Sequence, residues 1–122
     1  MLRIRQHGDD NQVFDMHSFI DDTVAAFNIC YWEIQIEWCI GNESLQVEQS
    51  RTSPKRYSTK GLTSLYSGLT QTVDGKISAY AEYTHLVTFE AVDSSYWEVS
   101  SKNEEFLAGM ESKYGIYEIN RT

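Results

Sequence analysis

Residues 29–40 read ICYWEIQIEWCI, and apolar and polar side chains alternate over most of this stretch. One parity is an apolar set: Cys30, Trp32, Ile34, Ile36, Trp38 and Ile40. The other parity is mostly polar and includes Glu33 and Glu37. Because successive side chains of a strand point to opposite faces, this period of two predicts a β-strand with one packed and one wet face. Such strands are typical of antiparallel sheets that are covered on one side only.

Five further segments are predicted as strands by their apolar alternation or their β-formers between turn residues: 2–5, 45–48, 76–92, 96–99 and 116–119. The segment 76–92 is long for one strand, which indicates a bulge or a bend inside it. Its apolar parity includes Tyr83 and His85 between smaller apolar residues. The intervening residues 49–58 are polar and basic and are predicted to form a loop.

Apolar residues recur at helical spacing in three other segments. The predicted helices cover about 18–27 with Ser18 as cap, the stretch from Ser58 or Thr59 to Asp74, and the stretch from a capping box at Ser101 and Glu104 to Gly115. Their apolar faces contain Met16, Ile20, Val24 and Phe27; Leu62, Leu65, Tyr66, Leu69 and Val73; and Phe106, Leu107, Met110 and Tyr114. We therefore expect one α+β domain over residues 1–122, mainly an antiparallel sheet with about three helices on one face.

Composition is consistent with a single domain of the cytoplasm. The 122 residues are 41% hydrophobic and include one proline, and neither a linker nor an apolar leader is evident. The two cysteines, Cys30 and Cys39, are nine residues apart in the predicted strand, or roughly 30 Å. A disulfide requires Cα atoms within about 7 Å, so we expect two free thiols.

The net charge of −8 argues against two classes of partner. Nucleic acids and anionic membranes are both negatively charged, so neither is expected to bind. The charge is uneven, because residues 1–48 carry nine acids and two bases and residues 74–122 carry nine acids and four bases. Residues 49–73 carry four bases and no acid.

The sequence contains no recognisable catalytic, nucleotide-binding or metal-binding motif, so no catalytic residue, cofactor or metal is expected. His17 and Asp21 have the spacing of two ligands on one helical face, but no third ligand accompanies them. His85 allows an alternative function, in which a small ligand-binding protein or enzyme uses a pocket between sheet and helices with this histidine as a general base.

Acidic residues and tyrosines share the predicted wet face of the sheet. Tyrosine provides a large contact area at a small cost in entropy, and carboxylates accelerate the encounter with a basic partner. We therefore predict a partner-binding surface, extended by acids of the first helix, that contains Tyr31, Glu33, Glu37, Asp21, Asp22, Glu82 and Glu90. An ordinary solvated face that charge keeps soluble is the equally weighted alternative.

The chain resembles the small acidic immunity proteins that neutralise bacterial polymorphic toxins, including those of contact-dependent growth inhibition. The features that carry this resemblance are the low pI, the single domain and the segment Tyr31-Trp32-Glu33-Ile34-Gln35-Ile36-Glu37-Trp38. The resemblance implies a non-enzymatic inhibitor whose acidic surface occupies the basic cleft of a toxin, for instance a nuclease. It implies no individual binding residue, and the basic residues 51–60 depart from a uniformly acidic inhibitor.

Overall fold

Six antiparallel strands form one sheet, and three helices pack on one of its faces, among the residues that the structure describes. The structure is a computed structural model that describes residues 1–10, 12–41, 50, 52–67, 69–93 and 95–117. The elements in chain order are β1 (Leu2–Arg5), α1 (Met16–Ala26), β2 (Tyr31–Gly41), β3 (Lys55–Tyr57), α2 (Thr59–Tyr66), β4 (Leu69–Ala81), β5 (Thr84–Val92), β6 (Tyr96–Ser101) and α3 (Glu104–Tyr114). The strands lie side by side in the order β1-β6-β5-β4-β2-β3. The predicted α+β class with an antiparallel sheet is confirmed.

The covered face of the sheet is built from apolar cross-strand neighbours. One row crosses five strands, from β2 to β1, through Ile34, Ile77, Phe89, Val99 and Leu2. All five side chains are buried. Above this row, Phe19 of α1 stacks on Phe89 at 5.2 Å and meets the edges of Trp97 and Tyr114 at 5.3 and 5.2 Å. Sheet and helices therefore share one core.

A bulge in β2 ends the predicted alternation after Ile36. Ile36 pairs with Gly75 and Trp38 pairs with Asp74, so Glu37 is an extra residue opposite β4. Beyond this point the parity is reversed: Cys39 is buried at 3% exposure, whereas Trp38 and Ile40 are 56% and 47% exposed. The prediction that Trp38 and Ile40 belong to the packed face is wrong, because one inserted residue moves the side chains that follow it to the opposite face of the sheet.

The two cysteines are not joined by a disulfide and differ in accessibility, since Cys30 is exposed and Cys39 is buried. We expect excess iodoacetamide to label Cys30 alone in the native protein and to label both residues in urea. Mass spectrometry of the intact protein and of its peptides measures the labels, and Cys30→Ser should give an unlabelled native protein. Rapid native labelling of Cys39 would mean that the bulged end of β2 opens readily.

The segment 76–92 reverses direction at Glu82 and Tyr83 and forms parts of two strands, so the prediction of a single strand that contains a bulge or a bend is wrong. Ala81 pairs with Thr84, and Glu82 supplies the turn with a positive φ of 55°. The pairing of β4 with β5 shifts register close to this turn. Ala79 pairs with Val87 but Tyr80 pairs with His85, so Leu86 is an extra residue opposite β4. Tyr83 is fully exposed at the turn, and His85 is also exposed.

The three predicted helices exist, but some of their end residues differ from the predictions. Asp15 caps α1 instead of Ser18, and Asn103 caps α3 instead of Ser101. The buried face of α1 includes Phe19 and Thr23, while Val24 is exposed. The cap Ser58 of α2 and the end of α3 at Gly115, which has a φ of 81°, are as predicted.

Two regions that were predicted as helix or loop are strands. The helix α2 ends at Tyr66, and Val73 and Gly75 lie in β4. A Cβ on Gly75 would lie 2.7 Å from the Cα of Ile36, so the close approach of β2 and β4 requires glycine here. In the predicted loop 49–58, residues Lys55–Tyr57 form the edge strand β3.

Two predicted strands fall wholly or partly outside the described residues. The segment 45–48 is outside, as are residues 118–119, and residues 116–117 are not in a strand. In the described ranges, no helix has the length and apolar character needed to cross a membrane.

Candidate functional site

The face of the sheet opposite the helices, which we call the open face, carries the best candidate for a functional surface. It is formed by side chains that alternate with the buried ones along five strands: Arg3, Tyr31, Glu33, Gln35, Lys76, Ser78, Tyr80, Thr88, Glu90, Tyr96 and Glu98. Arg56 joins them from the edge strand β3, where it pairs with Glu33. Among the described residues no helix lies on this face, and all of these side chains except that of Ser78 are at least partly exposed.

A row of one guanidinium and three rings crosses four strands of the open face, and we call it the aromatic row. The guanidinium of Arg56 lies over the ring of Tyr31, 4.5 Å from its centroid. Tyr31 stacks on Tyr80 with ring centroids 5.0 Å apart, and Tyr80 meets His85 edge-on at 5.6 Å. Cross-strand pairing of Tyr31 with Tyr80 and of Tyr80 with His85 produces this alignment.

A polar row beside the aromatic row holds it in place. The Nε of Arg56 lies 3.5 Å from the Oε2 of Glu33. The Nε2 of His85 lies 2.6 Å from the Oγ1 of Thr88, whose hydroxyl is 2.8 Å from the Oγ of Ser78. Side chains that are fixed before binding lose less entropy when a partner arrives. The open face is therefore preorganised around its rings.

The β1 side of the open face repeats the combination of ring and guanidinium. The Nε of Arg3 donates to the Oε1 of Glu98 at 3.2 Å, and the same guanidinium lies 5.6 Å from the centroid of Tyr96. Tyr96 stacks on Tyr117 at 5.1 Å. Arg3 and Arg56 are thus both held against carboxylates, and their charges are largely compensated within the protein.

Acidic side chains gather at the bulged end of β2. A cavity of about 200 Å³ is lined there by Gln35, Glu37, Asp74, Gly75, Lys76 and Glu90. Partial burial raises the pKa of Asp74, and the nearby carboxylates of Glu37 and Asp93 raise it further. These effects show that negative charge is concentrated around Asp74.

Trp38 lies beside this acidic end, although the alternation in residues 29–40 predicted that it belongs to the packed face. It pairs with Asp74 across β2 and β4, and 56% of it is exposed. The signal that could have located it is the run Trp38-Cys39-Ile40, in which three apolar residues in succession interrupt the alternation. Such an interruption is compatible with a bulge, which re-aims the side chains that follow.

The structure brings together part of the predicted binding surface. Tyr31, Glu33 and Glu90 lie on the open face, and Glu37 is at its bulged end. Glu82 lies apart from this face, because it occupies the turn between β4 and β5.

Asp21 and Asp22, predicted to extend this surface from the first helix, are not brought together with the residues of the open face. Both are in α1, which packs on the opposite face of the sheet. Asp22 accepts a hydrogen bond from the Nζ of Lys113 at 2.6 Å and another from the hydroxyl of Tyr114. Burial, the hydrogen bond to Asp22 and the negative charge of Asp22 raise the pKa of Tyr114 above its ordinary value. Asp22 thus joins α1 to α3.

His85 does not occupy a pocket between the sheet and the helices. The register shift at Leu86 moves it from the apolar parity to the open face, where it contacts Tyr80 and Thr88. Its position in the packed face was predicted wrongly because, as at Trp38, one extra residue in a strand moves the side chain to the opposite face.

The described part of the chain contains no group of three or more histidine, cysteine, aspartate or glutamate residues arranged to hold a metal. No protein-family model, no curated protein and no solved structure matches this chain. Function is therefore inferred from the geometry and charge of the open face.

Proposed function

We propose that this chain is a non-enzymatic, protein-binding inhibitor of the immunity type, which neutralises a cognate bacterial toxin through the open face of its sheet. The aromatic row of Arg56, Tyr31, Tyr80 and His85 is the observation that carries the proposal. It is a preorganised set of rings on the open face, beside an excess of carboxylates. Recognition of another protein explains why rings and carboxylates lie together on this face.

The shape of the open face favours a macromolecular partner. Its rings are spread over several strands, so the contact area is broad. Tyrosine and arginine are enriched at the centres of protein interfaces, where a rigid ring provides contact area and a polar tip provides hydrogen bonds. The half-buried rings of Tyr31 and Tyr80 retain surface for such contacts.

The charge of the open face favours a basic partner. Arg3 and Arg56 are compensated by Glu98 and Glu33, whereas Glu37, Asp74 and Glu90 gather at the bulged end. The net charge of −8 adds a long-range field of the same sign. Fields of this kind steer a basic surface toward the complex and raise the association rate.

The proposal is tested by isolating the partner and measuring its neutralisation. The tagged chain is used to capture proteins from an extract of its own cells, and mass spectrometry identifies them. We expect a protein with a basic surface that stops the growth of a bacterial host when expressed alone. Co-expression of this chain should restore growth. A captured partner that is harmless alone, or whose toxicity persists on co-expression, would contradict the inhibitor proposal.

Charge reversal on the open face is expected to slow binding to that partner. The double change Glu33→Lys with Glu37→Lys should lower the association rate constant by about tenfold at low salt and reduce its salt dependence. Stopped-flow or surface-plasmon measurements at several salt concentrations determine both quantities. Both residues are at least partly exposed, and exposed ion pairs contribute about 0–1 kcal/mol, so the fold should remain.

The matched control is Glu105→Lys with Glu111→Lys, which makes the same change in net charge at exposed positions of α3. Its association rate should fall much less, because α3 lies on the other side of the sheet. Equal effects of the two double variants would show that only the net charge matters and that the open face is not the interface.

A further inference from the structure

Trp38 is the exposed member of the three tryptophans of the chain. Trp32 and Trp97 are fully buried, and each donates an indole hydrogen bond, to the Oγ1 of Thr59 at 3.0 Å and to the carbonyl of Phe14 at 2.9 Å. Trp38 is 56% exposed, and within the described residues its indole forms no hydrogen bond and no ring contact. The bulge at Glu37 places this indole outside the core.

The surroundings of Trp38 are acidic. Asp74 is its cross-strand neighbour, and the cavity beside it is lined by carboxylates of Glu37, Asp74 and Glu90. Lys76 is the basic residue of that lining, so carboxylates outnumber bases there. Beyond Trp38 along β2, Ile40 is 47% exposed and adds apolar surface.

The face of an indole ring attracts a cation, and carboxylates at the edge of the ring bind the same cation by hydrogen bonds. A guanidinium satisfies both, because it is planar, weakly hydrated and able to stack on a ring while it donates to carboxylates. An ammonium ion is a more strongly hydrated point charge and exploits the ring less well.

We infer that Trp38, with Glu37, Asp74 and Glu90, forms the docking point for an arginine of the protein partner, next to an apolar side chain that rests on Ile40. This inference rests on the proposed function, because it assigns the chemistry of the partner to one end of the open face. The partner's arginine inserts its guanidinium between the indole and the carboxylates. The indole of Trp38 and the carboxylates of the cavity thus bind the same guanidinium group.

A small peptide is a direct probe of this docking point. A capped pentapeptide with two arginines around a leucine is titrated into the intact chain, and amide and indole signals are followed by two-dimensional NMR. Identical peptides with lysine, or with citrulline, which has the shape of arginine without its charge, serve as comparisons. We expect the arginine peptide to shift the indole signal of Trp38 and the amide signal of Gly75 while the signals of α3 remain in place.

The expected order of affinity is arginine, then lysine, then citrulline. Glu37→Gln with Glu90→Gln should raise the dissociation constant of the arginine peptide about threefold to tenfold, and Trp38→Ala should do the same. Glu105→Gln with Glu111→Gln makes the same charge change on α3 and should leave it unchanged. Equal binding of the arginine and citrulline peptides, shifts confined to other surfaces, or no binding would each overturn the inference.

The two proposals fail in distinguishable ways. If the captured partner is neutralised but Trp38→Ala does not weaken its binding, the docking point is wrong and the inhibitor proposal stands. If the arginine peptide binds at Trp38 but no toxic partner is found, the cation-binding surface stands and its assignment to a toxin fails.

Discussion

Trp32→Ala is expected to lower the free energy of unfolding by about 3–5 kcal/mol, whereas Trp38→Ala should lower it by less than about 1 kcal/mol. The two residues lie in the same strand and have the same sequence parity. Trp32 is fully buried and its indole donates a hydrogen bond to Thr59 at the start of α2, so its removal leaves a cavity and breaks this bond. Trp38 is more than half exposed, so its removal exposes little additional core.

Urea unfolding followed by circular dichroism measures both changes, because the signal does not depend on either tryptophan alone. Trp38→Ala is the matched control for Trp32→Ala, since both variants lose the same atoms from β2. A domain is held together by about 5–15 kcal/mol, so Trp32→Ala should shift the midpoint strongly toward low urea. Similar losses for the two variants would contradict the bulge at Glu37.

The contrast between these tryptophans shows how far the sequence predicts the sheet. Alternation identified β2 and the burial of Trp32, Ile34 and Ile36, because the side-chain period of a strand depends on local geometry alone. The alternation predicted the wrong face for Trp38, because the bulge depends on the pairing of β2 with β4, and a single-strand pattern does not specify that pairing. The turn at Glu82 was missed for a related reason, since neither Glu82 nor Tyr83 is a usual residue of a tight turn.

The candidate site was predictable only in part. The sequence identified Tyr31 and Glu33 as residues of the wet face, but their neighbours depend on strand order. β2 lies between β3 and β4, which brings Arg56 and Tyr80 to the two sides of Tyr31. That order results from long-range pairing, and single-strand patterns do not specify it. The same limit explains why Asp22 was assigned to the binding surface, although α1 lies on the other side of the sheet.

Asp15 is a buried carboxylate that joins α1 to β4. It is 1% exposed, and its Oδ1 accepts from the backbone N–H of Met16 at 2.6 Å. Its Oδ2 accepts from the N–H of Thr72 at 2.7 Å, and the Thr72 hydroxyl donates to Oδ1 at 3.0 Å. Tyr66 extends the network through its hydroxyl, 2.9 Å from that of Thr72. Loss of the Asp15 side chain would leave several buried donors without acceptors.

Burial raises the pKa of Asp15 from 3.8 to about 6, although the hydrogen bonds from Thr72 and Met16 oppose this shift. The unfolded chain therefore loses this proton near pH 4, while the folded chain retains it up to about pH 6. Between these values the folded state binds more protons, so the contribution of Asp15 to stability falls as the pH rises. Two pKa units correspond to about 3 kcal/mol.

Asp15→Asn removes this titration while it retains a side chain that can cap α1. We expect the stability advantage of the wild-type protein over Asp15→Asn to shrink by about 2 kcal/mol from pH 4 to pH 7, as measured by urea unfolding at each pH. Asp9→Asn is the control, because it makes the same chemical change at an exposed position. If the advantage instead grows with pH, the three donors around Asp15 outweigh its burial and keep the carboxylate ionised in the folded protein.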